Sequence, residues 1–439
     1  MINLYDLLEA ASGQLFGEPA AHLFSQFCVD SRSATEASLY VAIKGERGDG
    51  HQYMQEAVEH GATGLLCSRP PEFDTTGISV ILVKNPLQAL MTWSHFVVGK
   101  QGVQVIGVAG TSGKSVTLAA IEQVLKTQYN VLAASSEQGG RLDVPLTLAR
   151  MTPEHQIVAL SLDVLYPGEM GEMVGAIRPH VGVISHVGFG YHERFETGDQ
   201  LAREVGQLVD YISPSGLVVL NYDDDYARGL ATRARAKVVT VSTEVAFGAD
   251  LMAQNIMLDA ARTGFDLRYN EQRAVGRWTP LLGKQQLTCA LAALAVGTYF
   301  DIPLHDALHA LTEIEPLPGR MKPLDGINGS IIIDDSYKAD PWTTLAALDW
   351  LQAVTQDQGR AIFVFGDMDA LGTSGQRSHR RVGQRASEFA ARLVTDGSEA
   401  ALAARAALDQ GMPPEGVRIT YSIHDTVAGV MDADVTSAM

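Results

Sequence analysis

The sequence is poor in cysteine, in basic residues and in long apolar runs. Its three cysteines (Cys28, Cys67 and Cys289) are widely spaced and odd in number, so they give no disulfide framework and no metal pattern. Lys and Arg total 33 against 51 Asp and Glu, and the net charge of -18 argues against a nucleic-acid or anionic-membrane partner. The longest apolar-rich stretch, 287–300, is too short to span a bilayer and predicts a buried helix.

The composition that remains is typical of a folded, multi-domain protein. Apolar residues make up 46% of the chain and charged residues 19%, which permits large cores and argues against global disorder. A length of 439 residues suggests three domains. The amino-terminal residues have acidic side chains and no basic segment before an apolar core, unlike a signal peptide, so we expect a cytoplasmic protein without membrane insertion.

Strand-like and helix-like segments alternate along the chain, which predicts an α/β fold of three domains. Residues 1–84 predict a small α/β domain. Residues 85–315 predict a doubly wound, mostly parallel sheet around a phosphate-binding loop, with antiparallel strands and a helix after it. Residues 316–439 predict a Rossmann-like domain, which we expect to be short at its end.

The sharpest chemical signal is a glycine-rich loop between a β-branched run and a helix. Glycines let backbone N–H groups turn toward phosphate oxygens, and the helix adds the positive end of its dipole. Lys114 would reach the β- and γ-phosphates, and Ser115 would ligate Mg²⁺. The alternative is a glycine turn with a surface lysine, because Val108 stands where the general pattern has glycine. We favour binding of a nucleoside triphosphate by Gly110, Thr111, Ser112, Gly113, Lys114, Ser115 and Val116.

Eight segments, the phosphate loop among them, occur in the order seen in one enzyme family. They are 29–32 with 39–51, 109–117, 144–147, 167–170 with 177–184, 221–224, 318–320, 334–337, and 366–368 with 371–372. The chain thereby resembles the Mur ligase family, the ATP-dependent amide ligases of peptidoglycan precursor synthesis. Within the family it is most similar to the branch that adds D-alanyl-D-alanine to a UDP-N-acetylmuramoyl tripeptide.

The resemblance implies a reaction, cofactors and partners. ATP with Mg²⁺ would phosphorylate the carboxylate of a UDP-N-acetylmuramoyl peptide, and the amine of D-Ala-D-Ala or an amino acid would attack the acyl phosphate. Such a step is chemically reasonable, because a carboxylate is a poor electrophile until it carries a good leaving group. Lysine and metal charge would offset the negative charge gathered at the transfer site. We expect a monomer.

The resemblance also implies roles for single residues. Asn221 would lie near the adenine, and Arg320 and Asp335 would hold ATP from the third domain, with Asp335 at the ribose. Catalysis would rest on Lys114, Arg320 and His192. The UDP-peptide substrate would be bound by Ser31, Arg32 and Thr147.

Each of these roles has a plainer alternative. Asp335 follows an acidic neighbour and has the alternative of a solvated strand end. Arg320 has that of a surface ion pair. The segment with Ser31 and Arg32 also fits an ordinary turn. His51 fits a loop or capping position better than a catalytic one.

The departures from the family pattern fall on its metal-binding side. Ser161 stands where the family has a metal-binding Glu, with Asp163 two residues on. Val205 stands where the family has a carbamoylated Lys, and Glu204 next to it cannot form a carbamate. The other changed positions are Gly139, Gly140, Tyr191, Gln207, Gln285, Gln286, Lys338 and Asp340.

Two functions follow from this mixture of kept and lost features. The first is an active ligase with an altered metal site. The second is an ATP-binding relative with lost or altered catalysis, which regulates cell-wall synthesis or acts on another carboxylate substrate. The phosphate loop favours ATP chemistry, whereas the changes at Ser161 and Val205 favour the second function.

Overall fold

A computed structural model describes residues 1–45, 48–134, 139–188, 194–244, 248–356 and 360–431. Within these residues the structure has the α/β fold that the alternating pattern predicts, with three successive parts along the chain. No helix in the described ranges is both long and apolar enough to cross a membrane. The predicted domain limits at 84 and 315 stay predictions.

The first part is built on a five-stranded sheet of order β2-β9-β8-β5-β4, in which only the β2–β9 pair is antiparallel. Two short ladders, β1–β3 and β6–β7, flank it. Helix α2 ends before Gly61, which adopts φ +113, a backbone conformation that glycine accepts without strain. The elements are β1 (Ile2–Asn3), α1 (Leu4–Ala11), β2 (Gln14–Phe16), β3 (Leu23–Phe24), β4 (Gln26–Cys28), β5 (Ser38–Val41), β6 (Lys44–Gly45), β7 (Gly48–Asp49), α2 (Met54–Glu59), β8 (Gly64–Cys67) and β9 (Ser79–Leu82).

The central part opens with α3 (Pro86–Gln101), which Asn85 caps and which packs against α1. Its sheet has nine strands. The further elements are β10 (Gln104–Ala109), α4 (Lys114–Leu125), β11 (Val131–Ala134), α5 (Asp143–Leu148), β12 (Ile157–Leu162), α6 (Glu169–Ile177), β13 (Val181–Ile184), α7 (Gly198–Val205), α8 (Gln207–Tyr211), β14 (Leu217–Asn221), α9 (Asp225–Gly229), β15 (Lys237–Ser242), β16 (Leu251–Leu258), β17 (Thr263–Tyr269), β18 (Gln272–Thr279), α10 (Gly283–Tyr299) and α11 (Leu304–Ala310).

The strand order of this sheet is β11-β12-β10-β13-β14-β15-β16-β17-β18, parallel as far as β16 and antiparallel beyond it. Strands β12, β13 and β14 are buried along their whole length, because helices cover both faces of a doubly wound sheet. Strand β10 lies between β12 and β13 in the sheet. The chain continues from β10 to β11 and β12 on one side of it, and then crosses to β13 on the other side. A crevice therefore opens at the carboxyl end of β10, where such folds bind ligands.

The last part contains an antiparallel hairpin, β19–β20, and a parallel sheet of order β21-β22-β23 with helices between its strands. This arrangement agrees with the predicted Rossmann-like fold. Its core includes Leu348, Phe365, Val382 and Leu393. The elements are β19 (Lys322–Asp325), β20 (Ile331–Asp334), α12 (Pro341–Thr355), β21 (Ile362–Gly366), α13 (Gly375–Ser387), β22 (Arg392–Asp396), α14 (Ala400–Asp409), β23 (Val417–Thr420) and α15 (Ile423–Met431).

Candidate nucleotide-binding site

The glycine-rich loop lies between the carboxyl end of β10 and the amino end of α4, as predicted. Gly110 has φ +138, and an added Cβ would come within 2.6 Å of the His186 carbonyl oxygen. Gly113 caps α4 at φ +85. Only glycine tolerates these two conformations and this close approach without strain. The loop therefore presents the amino end of a twelve-residue helix to any anion in the crevice.

The remaining loop residues are held by their neighbours. The Thr111 N–H donates to the His186 carbonyl at 2.7 Å, and the Gly188 N–H donates to the Thr111 hydroxyl at 2.9 Å. Val116 is buried among apolar side chains of the central part, so only its backbone is available for binding. Ser115 is half-buried in the first turn of α4, directly after Lys114, and its role as a magnesium ligand stays a prediction.

Lys114 has two partners beside the loop. Its Nζ donates to the Gly110 carbonyl at 2.8 Å and lies 3.1 Å from the Asp163 carboxylate. Asp163 follows β12, the neighbour of β10 in the sheet, which explains why a residue so distant in sequence reaches the lysine. Sequence analysis identified Asp163 as the acid nearest the changed position Ser161, and the structure places it beside Lys114.

A narrow pocket adjoins the loop. Ser112, Gly113, Asn221, Gln285 and Trp342 are among the residues that line it. Asn221 ends β14, is buried, and accepts a hydrogen bond from the Asp223 N–H through its side-chain oxygen. The pocket thus brings Asn221, the residue predicted near the adenine, to the phosphate loop.

His186 forms the wall of this pocket and was not predicted from sequence. Its ring pairs with Asp224 through Nδ1 and stacks on Trp342 with the ring centroids 4.0 Å apart. Burial acts to raise the pKa of Asp224, but the hydrogen bonds from His186 and two backbone N–H groups bring it below its usual value. No local pattern in the sequence links positions 186, 224 and 342, since they meet only in the folded chain.

Arg320 and Asp335 lie together in the last part, as the resemblance implies. The Arg320 guanidinium lies over the Tyr337 ring at 4.1 Å, and its backbone carbonyl accepts from Gln286 of α10 at 2.9 Å. The Asp335 carboxylate accepts from the Met321 N–H at 3.1 Å. Burial raises the pKa of Asp335 to about 6, although that hydrogen bond and the charge of Arg320 oppose the rise.

Two residues of the last part contact the phosphate loop or its surroundings directly. Asp340, at the amino end of α12, accepts a hydrogen bond from the Ser112 hydroxyl at 2.7 Å. Trp342 stacks on His186, as described above. Asp340 was recognised from the sequence only as a change from the family's Asn, and nothing in the sequence indicated its contact with Ser112.

At and beside the positions where the family binds metal, the side chains of this chain are buried or hydrogen-bonded. Ser161 is buried in β12. Val205 is packed among apolar side chains and is only 1% exposed. Glu204 accepts from the Gly168 and Met170 N–H groups, both at 2.9 Å, and so caps α6. Over the described ranges, no group of three or more His, Cys, Asp or Glu residues is arranged to hold a metal ion.

The remaining predicted residues lie outside this cluster. Ser31 is buried in the first part and donates to Glu56 at 2.6 Å, while Arg32 forms a bidentate pair with Asp30 at the surface. That pair lowers the pKa of Asp30 to about 2. Thr147 is buried in α5. His192 lies outside the described residues, so its role stays a prediction.

The fold and this site define a protein of three α/β parts that binds a nucleotide at the carboxyl edge of a parallel sheet. Three family models match the chain in order: the Mur ligase family catalytic domain at 25–96, the Mur ligase middle domain at 108–297, and the Mur ligase glutamate ligase domain at 319–438. The chain belongs to the Mur ligase family.

Curated relatives and solved structures agree with this assignment. The chain is 28% identical to the UDP-N-acetylmuramoyl-tripeptide–D-alanyl-D-alanine ligase of Escherichia coli over 386 residues, which cover 88% of this chain and 83% of that protein. It is 27% identical to the Bacillus subtilis ligase of the same name over 354 residues, covering 81% and 76%.

The solved structures resemble the whole fold. MurF from Acinetobacter baumannii superposes with a TM-score of 0.86 at 23% identity, covering 99% of this chain and 92% of that one. MurF from Thermotoga maritima in complex with ADP superposes with a TM-score of 0.72 at 20% identity, covering 93% and 96%. At these identities the likeness establishes the fold alone.

Proposed function

We propose that this chain is an ATP-dependent ligase that joins D-alanyl-D-alanine to a UDP-N-acetylmuramoyl tripeptide, the activity that its relatives' names state. The observation that carries the proposal is the glycine-rich loop, intact at the carboxyl edge of β10 and approached from the last part by α12. Resemblance over 83% and 76% of the length of two ligases of one name supports the substrate class.

The reaction divides into two steps. A carboxylate oxygen of the tripeptide attacks the γ-phosphorus of ATP, the bond to the β-phosphate oxygen breaks, and ADP leaves. The amine of D-alanyl-D-alanine then attacks the acyl phosphate carbonyl, loses a proton, and displaces phosphate as the amide forms. Both steps gather negative charge around the transferred group, so they need fixed positive charge and oriented N–H donors.

The chain's own residues supply that environment. Lys114 and the α4 amino end would face the phosphates, Asn221 would lie beside the base, and Arg320 and Asp335 would approach the nucleotide from the last part. Ser115 is half-buried, and its hydroxyl oxygen would ligate one Mg²⁺ ion. That ion would offset phosphate charge when bound. A second ion does not fit at Ser161, Val205 and Glu204, because these side chains are buried or engaged elsewhere.

A second candidate function rests on that misfit. The chain would bind ATP as a member of the family without forming the amide, or would act on another carboxylate. Glu204 favours this reading most, because its carboxylate oxygens are used by two backbone N–H groups and by the Gln207 side chain at 2.8 Å. An altered metal site within an active ligase remains the first candidate, because Asp163 offers a carboxylate next to Lys114.

The two functions differ in what stimulates ADP release. Purified protein with ATP and Mg²⁺ is assayed alone, with UDP-N-acetylmuramoyl tripeptide, and with the tripeptide plus D-alanyl-D-alanine. A ligase requires both substrates for a sustained rise and yields the pentapeptide by mass spectrometry. No rise with both substrates, together with measurable ADP binding, supports the second function. Lys114→Ala, purified in the same way, is the control for contaminating activity, because ADP release by this chain should depend on Lys114.

The setting of the reaction follows from its substrates. UDP-linked precursors and ATP are cytoplasmic metabolites, so we propose a cytoplasmic enzyme. We further propose that one chain forms the complete site, because the phosphate loop and the groups that approach it come from the same chain. Light scattering in the presence and absence of nucleotide measures the oligomeric state directly.

A further inference from the structure

We propose that Asp340 is an internal competitor for the phosphate loop, so that nucleotide binding must displace its carboxylate. The inference rests on the proposed nucleotide-binding function and adds a residue that sets affinity. Asp340 lies more than two hundred positions after the loop, yet its Oδ2 accepts from the Ser112 hydroxyl at 2.7 Å.

The Asp340 carboxylate is held in this position by its own helix. Its Oδ1 accepts from the Trp342 and Thr343 N–H groups, both at 3.0 Å, and so caps the amino end of α12. One oxygen of this carboxylate therefore caps α12, and the other binds Ser112, two residues before the start of α4. Since the positive end of a helix dipole stabilises an anion, Asp340 is favoured where a phosphate would also be favoured.

A second contact holds α12 against the loop. Trp342 stacks on His186 at 4.0 Å with 18° between the ring planes, and the His186 carbonyl accepts from Thr111 of the loop. Trp342 also lines the pocket that contains Ser112 and Asn221. The last part thus covers the nucleotide pocket with one charged and one aromatic side chain.

Nucleotide phosphates and the Asp340 carboxylate cannot share the loop without cost. Two like charges about 4 Å apart repel by about 1 kcal/mol even at the dielectric constant of water, and by more where solvent is partly excluded. A nucleotide therefore has to move α12 or work against this repulsion. Asparagine, which the family has at this position, keeps the shape and the helix cap but removes the charge.

The experiment compares ADP binding, by isothermal titration calorimetry in EDTA, to the full-length chain and to two variants. Asp340→Asn removes the competing charge. Asp349→Asn is the matched control, since it removes one charge from the same helix at a residue paired with Arg385. We expect Asp340→Asn to bind ADP about fivefold more tightly, and Asp349→Asn to bind like the unchanged chain. The gain should shrink in high salt, which screens the repulsion.

The outcomes separate this inference from the function on which it rests. Equal ADP affinity for the unchanged chain and Asp340→Asn overturns the competition while leaving nucleotide binding in place, and so does an equal gain in Asp349→Asn. If none of the three proteins binds ADP, the proposed function fails and this inference with it. Loss of folding cannot imitate the expected result, because a damaged protein binds more weakly.

Discussion

The phosphate loop at the end of β10 and the metal-side positions, Ser161 in the neighbouring strand β12 and Val205 in α7, depart from the family pattern to different extents. The loop keeps its glycines, its lysine and its hydroxyl. Beside it, the metal-side positions have become Ser161 and Val205, and nearby Glu204 caps a helix. The loop and the metal-side positions can change separately, because they belong to different elements of the fold.

The difference teaches which features can be lost without loss of the fold. The loop glycines are required by backbone geometry as well as by phosphate binding, since an added Cβ at Gly110 meets backbone atoms. The metal-side residues meet no such requirement of backbone geometry. The residues that replace them, Ser161 and Val205, are both buried.

Replacement of the loop lysine gives the largest expected effect. Lys114→Ala should lower ATP-dependent activity by about 100-fold or more, because it removes the charge that faces the phosphates. Steady-state ADP release measures this. Ser115→Ala should instead weaken the dependence of activity on Mg²⁺. If Lys114→Ala were as active as the unchanged chain, the reaction would take place away from this loop.

The Val205→Lys variant tests the metal-side positions, because it restores the family's residue. Val205 is 1% exposed, so a charged lysine there should cost about 3 kcal/mol of stability. Urea denaturation measures the loss. A variant as stable as the unchanged chain would show that position 205 can turn toward the site, and the comparison between the two regions would fail.

A smaller effect is expected at Asp335, where burial raises the pKa to about 6. An acid whose pKa is higher in the folded chain costs stability above that pKa, and the cost disappears as the pH falls toward the unfolded value. Asp335→Asn should therefore stabilise the chain by about 2 kcal/mol at pH 8 and hardly at pH 4. Denaturation between these pH values tests the sign, and a gain that grows on acidification would contradict it.

The smallest effect is expected at Glu204. Glu204→Gln keeps the shape but weakens two charge-assisted bonds at the α6 amino end, which should cost about 1 kcal/mol. The melting temperature measures this, with the surface variant Glu196→Gln as a comparison. A change in the Mg²⁺ dependence of nucleotide binding, with no change in stability, would instead make Glu204 a metal ligand.

Local patterns explain how much could be predicted. The phosphate loop and the strand–helix alternation depend on residues close in sequence, and both appear as expected. The short ladder of β6 and β7 could not be predicted, because two-residue pairings leave no periodic pattern to detect. Asp163 could be named as a candidate but not as the partner of Lys114.

The sequence by itself determined the α/β class, the three-part order and the nucleotide-binding loop, since each rests on periodicity or on short motifs with fixed backbone requirements. Only the tertiary structure decided what surrounds that loop. The contacts of Asp340 with Ser112 and of Trp342 with His186 join residues more than 150 positions apart. Such contacts depend on how α12 packs over the carboxyl edge of the central sheet, and no local interaction encodes that packing.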